Sequence, residues 1–104
     1  MLEHILVPLD GTSESEEALP YVRRLVGLGA SRITLLRAEL PVAMDEYAMV
    51  SEAARDQARE YLQGVKARLS DLSVRISILP LIGPPASAAM EATDLKQISL
   101  IVIA

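Results

Sequence analysis

The sequence predicts a single α/β domain on an open parallel sheet, and three observations support this. Short apolar runs alternate with amphipathic stretches in the order β-α-β-α-β-α-β, which favours parallel strands joined by right-handed crossovers. The first run, residues 5–9, carries no polar residue, as expected for a strand covered on both faces. The 104 residues, 51% of them hydrophobic, suffice for one small globular domain and not for two.

Composition argues against several functional classes. The formal net charge of −4 disfavours nucleic acid as a partner, because phosphate backbones are bound by clustered Lys and Arg. The lack of cysteine excludes disulfides and thiolate metal sites, and His4 alone cannot form a histidine zinc site. No apolar run approaches the ~20 residues of a membrane helix, and too few residues precede the first strand for a signal peptide. We therefore expect a soluble cytoplasmic protein that binds neither nucleic acid nor membranes.

Residues 5–16 predict a buried strand, a turn and a helix start. Gly11 allows a sharp turn after the strand, and Ser13 with Glu16 has the spacing of a capping box. Ligands of open α/β sheets bind beyond the carboxyl ends of the strands, so residues 10–13 are candidate binding residues. Turn formation and helix capping explain the same residues equally well.

The first helix is expected to begin near Ser13, with apolar residues at helical spacing. Pro20 lies inside this pattern and is expected to kink the helix or to remove one hydrogen bond. Gly27 and Gly29 are expected to end it. His4, just before the first strand, is expected at the surface or at a sheet edge.

The rest of the chain continues the alternation. Residues 33–38 predict a second strand, and residues 45–69 a long helix with one apolar and one charged face. Residues 74–79 alternate apolar and polar side chains, which places the third strand at a sheet edge. A Pro/Gly loop at 80–85 should lead into a short helix of small residues, and residues 100–104 predict a fully apolar fourth strand.

The sequence ends inside this fourth strand. An apolar strand with nothing after it leaves a sheet edge uncovered, which is unfavourable. We therefore expect either that the domain continues beyond residue 104 or that a partner chain covers the edge.

Several known catalytic and phosphate-binding motifs do not occur. The sequence has no G-x-x-x-x-G-K-[ST], no G-x-G-x-x-G opening the first helix and no G-x-S-x-G. The third strand does not end in the acidic residue of a receiver domain. Asp10, Gly11 and Thr12 match only the second half of the D-x-D-G-T motif of haloacid-dehalogenase-like phosphatases. Pro8 occupies the position of the nucleophilic aspartate.

A binding site fits the first turn better than a catalytic one. Asp10 can accept hydrogen bonds from a ribose or from a base amine, and the helix start offers N–H groups to an anion. Glu14, Glu16 and Glu17 would repel a phosphate there, and we expect no basic residue close to the turn. Phosphates therefore need donors from elsewhere in the protein, and residues 1–104 contain no evident second cradle.

These features together resemble the universal stress protein family. The first strand, turn and helix start carry the most specific part of the match, and weaker pieces follow in the right order. The resemblance spans essentially the whole chain and rests on residues 5–15, 18–19, 35–38, 83–84, 94–95 and 100–103.

The resemblance implies an open, doubly wound, Rossmann-like parallel sheet of the adenine nucleotide alpha hydrolase-like type, with strand order 3-2-1-4-5. It implies a homodimer or a tandem pair of domains, and a role in stress survival or in regulating other domains. The fourth helix and fifth strand of such a domain do not occur in residues 1–104. We therefore expect residues 1–104 to be one universal stress protein domain that is incomplete at its C-terminal end.

Some members of the family bind ATP or AMP, with Mg²⁺ accompanying the phosphates. In those members the positions matching Pro8, Leu9 and Asp10 contact the adenosine, as does the position matching Ala38. A glycine-rich segment after the fourth strand holds the phosphates, and residues 1–104 stop before it. Together with two residues of the turn, these positions form the predicted nucleotide-binding set, which is Pro8, Leu9, Asp10, Gly11, Ser13 and Ala38.

Three functions stay open at this point. The first is a stress-response regulator that binds ATP or another adenine nucleotide. The second is a member of the same family that binds no nucleotide and acts as a dimerising interaction module. The third is a phosphate-ester hydrolase, suggested only by residues 10–12. No residue is evidently placed to activate water, so at most slow ATP hydrolysis is expected.

Overall fold

The computed structural model of the chain describes residues 3–39, 47–82, 90 and 98–103. Within them, the strands form one parallel sheet of order β3-β2-β1-β4, flanked by helices. This confirms the predicted α/β class and the strand order 3-2-1-4. The elements are β1 (His4–Pro8), a 3₁₀ helix (Ser15–Ala18), α1 (Leu19–Gly27), β2 (Arg32–Glu39), α2 (Tyr47–Arg68), β3 (Arg75–Ile82) and β4 (Leu100–Ile101).

Strand β1 lies between β2 and β4 and sets the register of the sheet. It pairs with β2 from His4 opposite Arg32 to Pro8 opposite Leu36. Because parallel pairing aligns the ends of the two strands, the residues that follow Pro8 and Leu36 meet at the same edge of the sheet. That edge is where the sequence places the binding turn.

The two faces of the sheet have different cores, as the period of two along each strand requires. On one face, α1 and α2 cover the strands, and the buried residues include Ile5, Val7, Val22, Ile33, Leu35, Leu62 and Val65. On the other face, Leu6 and Leu36 are buried against Ala38, Leu79, Leu81 and Ile98. The alternation continues to the end of β2, so Arg37 and Ala38 emerge on opposite faces.

The segment after β1 differs from the predicted continuous helix. It begins as a 3₁₀ helix whose N-cap residue, Glu14, makes no side-chain capping hydrogen bond, and the predicted capping box of Ser13 and Glu16 does not form. The α-helix starts only at Leu19, which puts Pro20 in its first turn. The predicted loss of a helical hydrogen bond does not occur, because proline has no N–H and the first turn of a helix needs none there.

Helix α1 ends as the glycines predict. Gly29 has a φ of 114°, a conformation that favours glycine. Its N–H donates to the carbonyl of Val26 at 3.0 Å, and the N–H of Ala30 donates to the carbonyl of Leu25 at 3.1 Å. This is a Schellman motif, which satisfies the last carbonyls of the helix.

His4 corrects a second expectation, since it is buried instead of lying at the surface or at a sheet edge. Its side chain is only 5% exposed, and its Nε2 lies 2.7 Å from Oγ1 of the equally buried Thr34 on β2. A polar residue next to a short apolar run suggested a strand boundary, but a neighbouring strand supplies the partner that allows burial.

The later elements have bounds that differ from the predicted ones. Helix α2 and the edge position of β3 are confirmed within the described residues. Strand β3 continues through Pro80 to Ile82 instead of ending in a loop, because an edge strand tolerates a proline that donates no ladder hydrogen bond. Strand β4 contains only Leu100 and Ile101, fewer residues than predicted. The predicted short helix after residue 85 lies mostly outside the described residues.

No helix in the described ranges is long and apolar enough to span a bilayer.

Candidate functional site

A pocket of about 210 Å³ opens where β1 and β2 end. Its walls are mainly apolar, with one carboxylate and one hydroxyl among them. This combination of apolar surface and a few polar groups is typical of sites for small organic ligands, and its position matches the ligand sites of open α/β sheets. The lining residues are Pro8, Leu9, Asp10, Ser15, Leu36, Ala38 and Ile103.

Four of the six residues predicted to bind nucleotide line this pocket. They are Pro8, Leu9 and Asp10 from the end of β1, and Ala38 from β2. Gly11 and Ser13 are exposed parts of the turn and do not line it. The parallel pairing of β1 with β2 is what brings the two sets together, because Pro8 lies opposite Leu36.

Three lining residues were not predicted from the sequence. Leu36 shares a strand face with Ala38, so the period of two along β2 was a signal that could have identified it. Ser15 reaches the pocket through the geometry of the turn and the 3₁₀ helix, which no sequence pattern indicated. Ile103 reaches it by following β4, whose register against β1 is a tertiary feature.

The Asp10 carboxylate is held by residues of its own turn. Its Oδ1 accepts a hydrogen bond from the Thr12 hydroxyl at 2.5 Å and one from the Thr12 N–H at 2.9 Å. These two donors, followed by the Ser15 side chain, lower the pKa of Asp10 to about 2. The carboxylate is therefore ionised at neutral pH and held in one orientation beside the pocket.

Thr12 and Ser15 close the turn. The N–H of Ser15 donates to the Thr12 hydroxyl at 3.1 Å, and the Ser15 hydroxyl donates to the Thr12 carbonyl at 3.0 Å. The Asp10 N–H donates to the Ser15 hydroxyl oxygen at 3.3 Å. Thr12, and not Ser13 as the capping-box spacing predicted, thus accepts a hydrogen bond from an N–H at the start of the 3₁₀ helix. Asp and Thr at this separation form such local hydrogen bonds readily.

Gly11 brings the turn into contact with a basic residue. Its φ is 87°, and a Cβ placed on it would lie 3.1 Å from Nη1 of Arg37. The expectation that no basic residue lies close to the turn is therefore wrong. Arg37 follows the last residue of β2 that pairs with β1, so strand pairing brings its side chain to the turn although it is distant in sequence.

Four side chains form what we call the Tyr61 cluster: Glu16, Arg37, Tyr61 and Arg68. The Arg37 guanidinium lies over the Tyr61 ring, 4.9 Å from its centroid. The Tyr61 hydroxyl donates to Oε2 of Glu16 at 2.6 Å, and Arg68 donates to Oε1 of Glu16, also at 2.6 Å. The cluster joins the end of β2 and the 3₁₀ helix to α2.

The cluster changes how Glu16 affects the site. The Tyr61 hydroxyl, and then Arg68, lower the pKa of Glu16, while burial and the neighbouring Glu16 raise the pKa of Tyr61 to about 12. Glu16 is thus an ionised carboxylate that is matched by two donors from α2. The sequence suggested that the charge of Glu16 at the helix start has no partner, and the structure gives it two. Glu14 and Glu17 are exposed.

Within the described ranges, no three His, Cys, Asp or Glu side chains come together in a way that would hold a metal ion.

Comparison with known proteins gives a match to one family and several similar solved structures. The model of the Universal stress protein family matches residues 1–104. A structure of a protein from the universal stress protein family of Burkholderia pseudomallei is 23% identical, with a TM-score of 0.80; the match covers 96% of this chain and 79% of that one. No curated protein sequence matches the chain.

Two further solved structures share the fold. The hypothetical protein MJ0577 is 18% identical with a TM-score of 0.86, and the match covers 99% of this chain and 74% of that one. A universal stress protein in complex with cAMP is 20% identical with a TM-score of 0.75, and the match covers 97% and 75% respectively.

Proposed function

The chain belongs to the universal stress protein family, and from this membership we propose that it is a stress-response regulator that binds an adenine nucleotide. The observation that carries the proposal is the pocket at the ends of β1 and β2. It combines the ionised carboxylate of Asp10 with the apolar side chains of Pro8 and Ala38. A nucleoside presents the complementary groups, which are a flat apolar base and a sugar with two hydroxyl donors.

In this proposal the base enters the apolar part of the pocket. Leu36 and Ile103 supply apolar surface for a purine, and the small side chain of Ala38 leaves room for a ring. The Asp10 carboxylate accepts hydrogen bonds from the ribose. A bond to an ionised acceptor is stronger than one between neutral groups, and the fixed turn reduces the entropy lost on binding.

The phosphates lie away from Asp10 in this proposal, because two negative groups repel each other. Any Mg²⁺ is held through the phosphates of the nucleotide. The structurally similar universal stress protein in complex with cAMP supports an adenine nucleotide as the class of ligand. It does not select among ATP, AMP and a cyclic nucleotide for this chain.

The second candidate is a cytoplasmic interaction module that dimerises and binds no nucleotide. Its support is the exposure of apolar side chains at and after β4, where Ile101 is 37% and Ile103 is 73% exposed. A homodimer, a tandem second domain or a further strand of the same sheet that packs there would bury them. The third candidate, the phosphate-ester hydrolase, has no support from the residues that line the pocket.

A titration of the full-length protein with a fluorescent ATP analogue tests the first candidate. We expect saturable binding, weakened about tenfold or more in Asp10→Ala, because a hydrogen bond to a charged group contributes about 1.5–3 kcal/mol. Asp56→Ala is the matched control: it removes the same charge from an exposed pair with Arg59 on α2 and should leave affinity unchanged.

Two results would contradict nucleotide binding at this pocket. One is the absence of saturable binding, and the other is equal affinity in Asp10→Ala and the wild type. Sedimentation of the same samples then tests the second candidate. A dimer that dissociates in Ile103→Asp would support the interaction module, since a charge at that position opposes burial.

A further inference from the structure

We propose that Tyr61 is a positioning residue for the binding pocket: it fixes the turn of residues 10–16 against α2 and thereby couples ligand binding to the docking of that helix. The inference rests on the proposed function for its ligand. It assigns a role to a residue that does not line the pocket and that no sequence motif identifies.

Tyr61 on α2 contacts two side chains next to or within the turn, those of Arg37 and Glu16. At the first, the Arg37 guanidinium lies over the face of the Tyr61 ring and close to Gly11, where an added Cβ would be 3.1 Å from Nη1. At the second, the Tyr61 hydroxyl donates to Glu16 at 2.6 Å. One side chain of α2 therefore contacts the groups that hold both ends of the turn.

Both contacts lie next to residues that form the pocket. Gly11 follows Asp10, and Glu16 follows Ser15; both Asp10 and Ser15 line the pocket. The hydrogen bonds among Asp10, Thr12 and Ser15 make the turn a closed unit. A displacement of Glu16 is therefore passed to Ser15, and from there to the Asp10 carboxylate.

The relative strength of the contacts identifies Tyr61 as the main link. Arg68 also binds Glu16, but the Arg68 side chain is 55% exposed, so solvent screens this ion pair. Tyr61 is half-buried and gives Glu16 a short hydrogen bond to an ionised acceptor, which is stronger than a neutral one. Its ring additionally provides the surface on which Arg37 rests.

Coupling between the pocket and α2 is reciprocal. A ligand that needs the turn in its present position stabilises the contact between Glu16 and Tyr61, and loss of that contact weakens the ligand by the same factor. Occupancy of the pocket would therefore strengthen the docking of α2 against the turn.

Tyr61→Phe is the central variant, because it keeps the ring beneath Arg37 and removes only the hydroxyl. We expect nucleotide binding about fivefold weaker or more, the lower end of typical coupling between two sites. Glu16→Ala should weaken binding by a similar factor, and the double variant should lose little more than either single one, because both remove the same link. Asp71→Asn is the control: it removes a different contact between elements, the pair of Arg23 and Asp71, and should leave the affinity unchanged.

A second measurement needs no nucleotide and separates this inference from the proposed function. We expect the carbon-13 NMR titration of Asp10 to give a pKa near its value of about 2 in the wild type. In Tyr61→Phe the pKa should rise towards 3.8, because a displaced turn weakens the hydrogen bonds from Thr12. An unchanged pKa of Asp10 in Tyr61→Phe would overturn the positioning role whether or not the wild type binds nucleotide. Unchanged affinity in a wild type that does bind would overturn it equally, whereas a wild type without affinity would contradict only the proposed function.

Discussion

Nε2 of His4 lies 2.7 Å from Oγ1 of Thr34, and this buried hydrogen bond links β1 to β2 below the pocket. Thr34 is 1% exposed and His4 is 5% exposed, so both polar groups have left water. Burying a polar group is unfavourable unless the group is hydrogen-bonded. His4 and Thr34 therefore depend on each other for their burial.

We predict that Thr34→Val lowers the free energy of unfolding by about 1–3 kcal/mol, because valine has nearly the same shape but removes this partner from the His4 ring. Urea unfolding followed by circular dichroism measures the change. In a His4→Leu background the same substitution should have a smaller effect, since no imidazole then needs the hydroxyl. An equal loss in both backgrounds would show that the hydrogen bond is not the cause.

His4 also marks how far the sequence could predict the fold. Residues 5–9 carry no polar residue and residues 33–38 are mostly apolar, so strand identity, parallel pairing and the pocket's place could be predicted from pattern alone. The burial of His4 could not be predicted, because it depends on which residue of β2 the strand register brings next to it. The contact of Arg37 with Tyr61 is a similar case, since it depends on how α2 crosses the sheet.

Two local interactions compete within the turn. One is the capping box that the sequence predicts for Ser13 and Glu16, and the other is the turn closed by the hydrogen bonds between Asp10 and Thr12 in the structure. The second prevails in the structure because Glu16 has stronger partners on α2, namely Tyr61 and Arg68. Tertiary contacts of this kind override a local preference worth about 1 kcal/mol.

Gly11→Ala should destabilise the turn. A residue with a side chain at a φ of 87° has a cost of about 1–2 kcal/mol, and the new methyl group would lie 3.1 Å from Nη1 of Arg37. We expect a lower unfolding midpoint together with weaker binding of the fluorescent nucleotide. Chemical denaturation and a binding titration on the same preparation measure the two effects.

Gly64→Ala is the matched control for that substitution, and the sign of its effect should be opposite. Gly64 lies within α2, has an ordinary helical φ, and a Cβ there would meet nothing within 4 Å. Alanine in a helix interior is favoured over glycine by about 1 kcal/mol, so this variant should be more stable with unchanged affinity. Destabilisation by both substitutions would indicate that the conformation of Gly11 is not what matters.

The low pKa of Asp10 predicts an acid-sensitive contribution to stability. Its pKa is about 2 in the folded chain and has the ordinary value of 3.8 in an unfolded one, so the unfolded state binds more protons between these values. The stabilisation is fully present above the higher value and is lost as the pH falls through the lower one. Asp10→Asn should therefore be less stable than the wild type at about pH 6, and the difference should shrink towards about pH 2. Denaturant unfolding across that range checks this; a difference that is constant with pH would contradict it.

Ala38→Leu should separate ligand binding from folding. Ala38 is half-buried and lines the 210 Å³ pocket opposite the end of β1, so a larger side chain occupies the space proposed for the base. We expect affinity for the fluorescent nucleotide to fall about tenfold or more, which corresponds to about 1.4 kcal/mol or more of binding free energy. Stability should stay the same or rise slightly, since the added atoms are apolar and enter an open pocket.

Ala53→Leu is the control for that variant, because it adds the same side chain at an exposed position on α2. It should change neither affinity nor the Asp10 titration. Because Ala38→Leu leaves the hydrogen bonds from Thr12 in place, the pKa of Asp10 should stay well below its ordinary value of 3.8. Loss of affinity with that pKa unchanged would locate the base beside Ala38. Full affinity in Ala38→Leu would place the nucleotide outside this pocket, even if Asp10→Ala weakened binding.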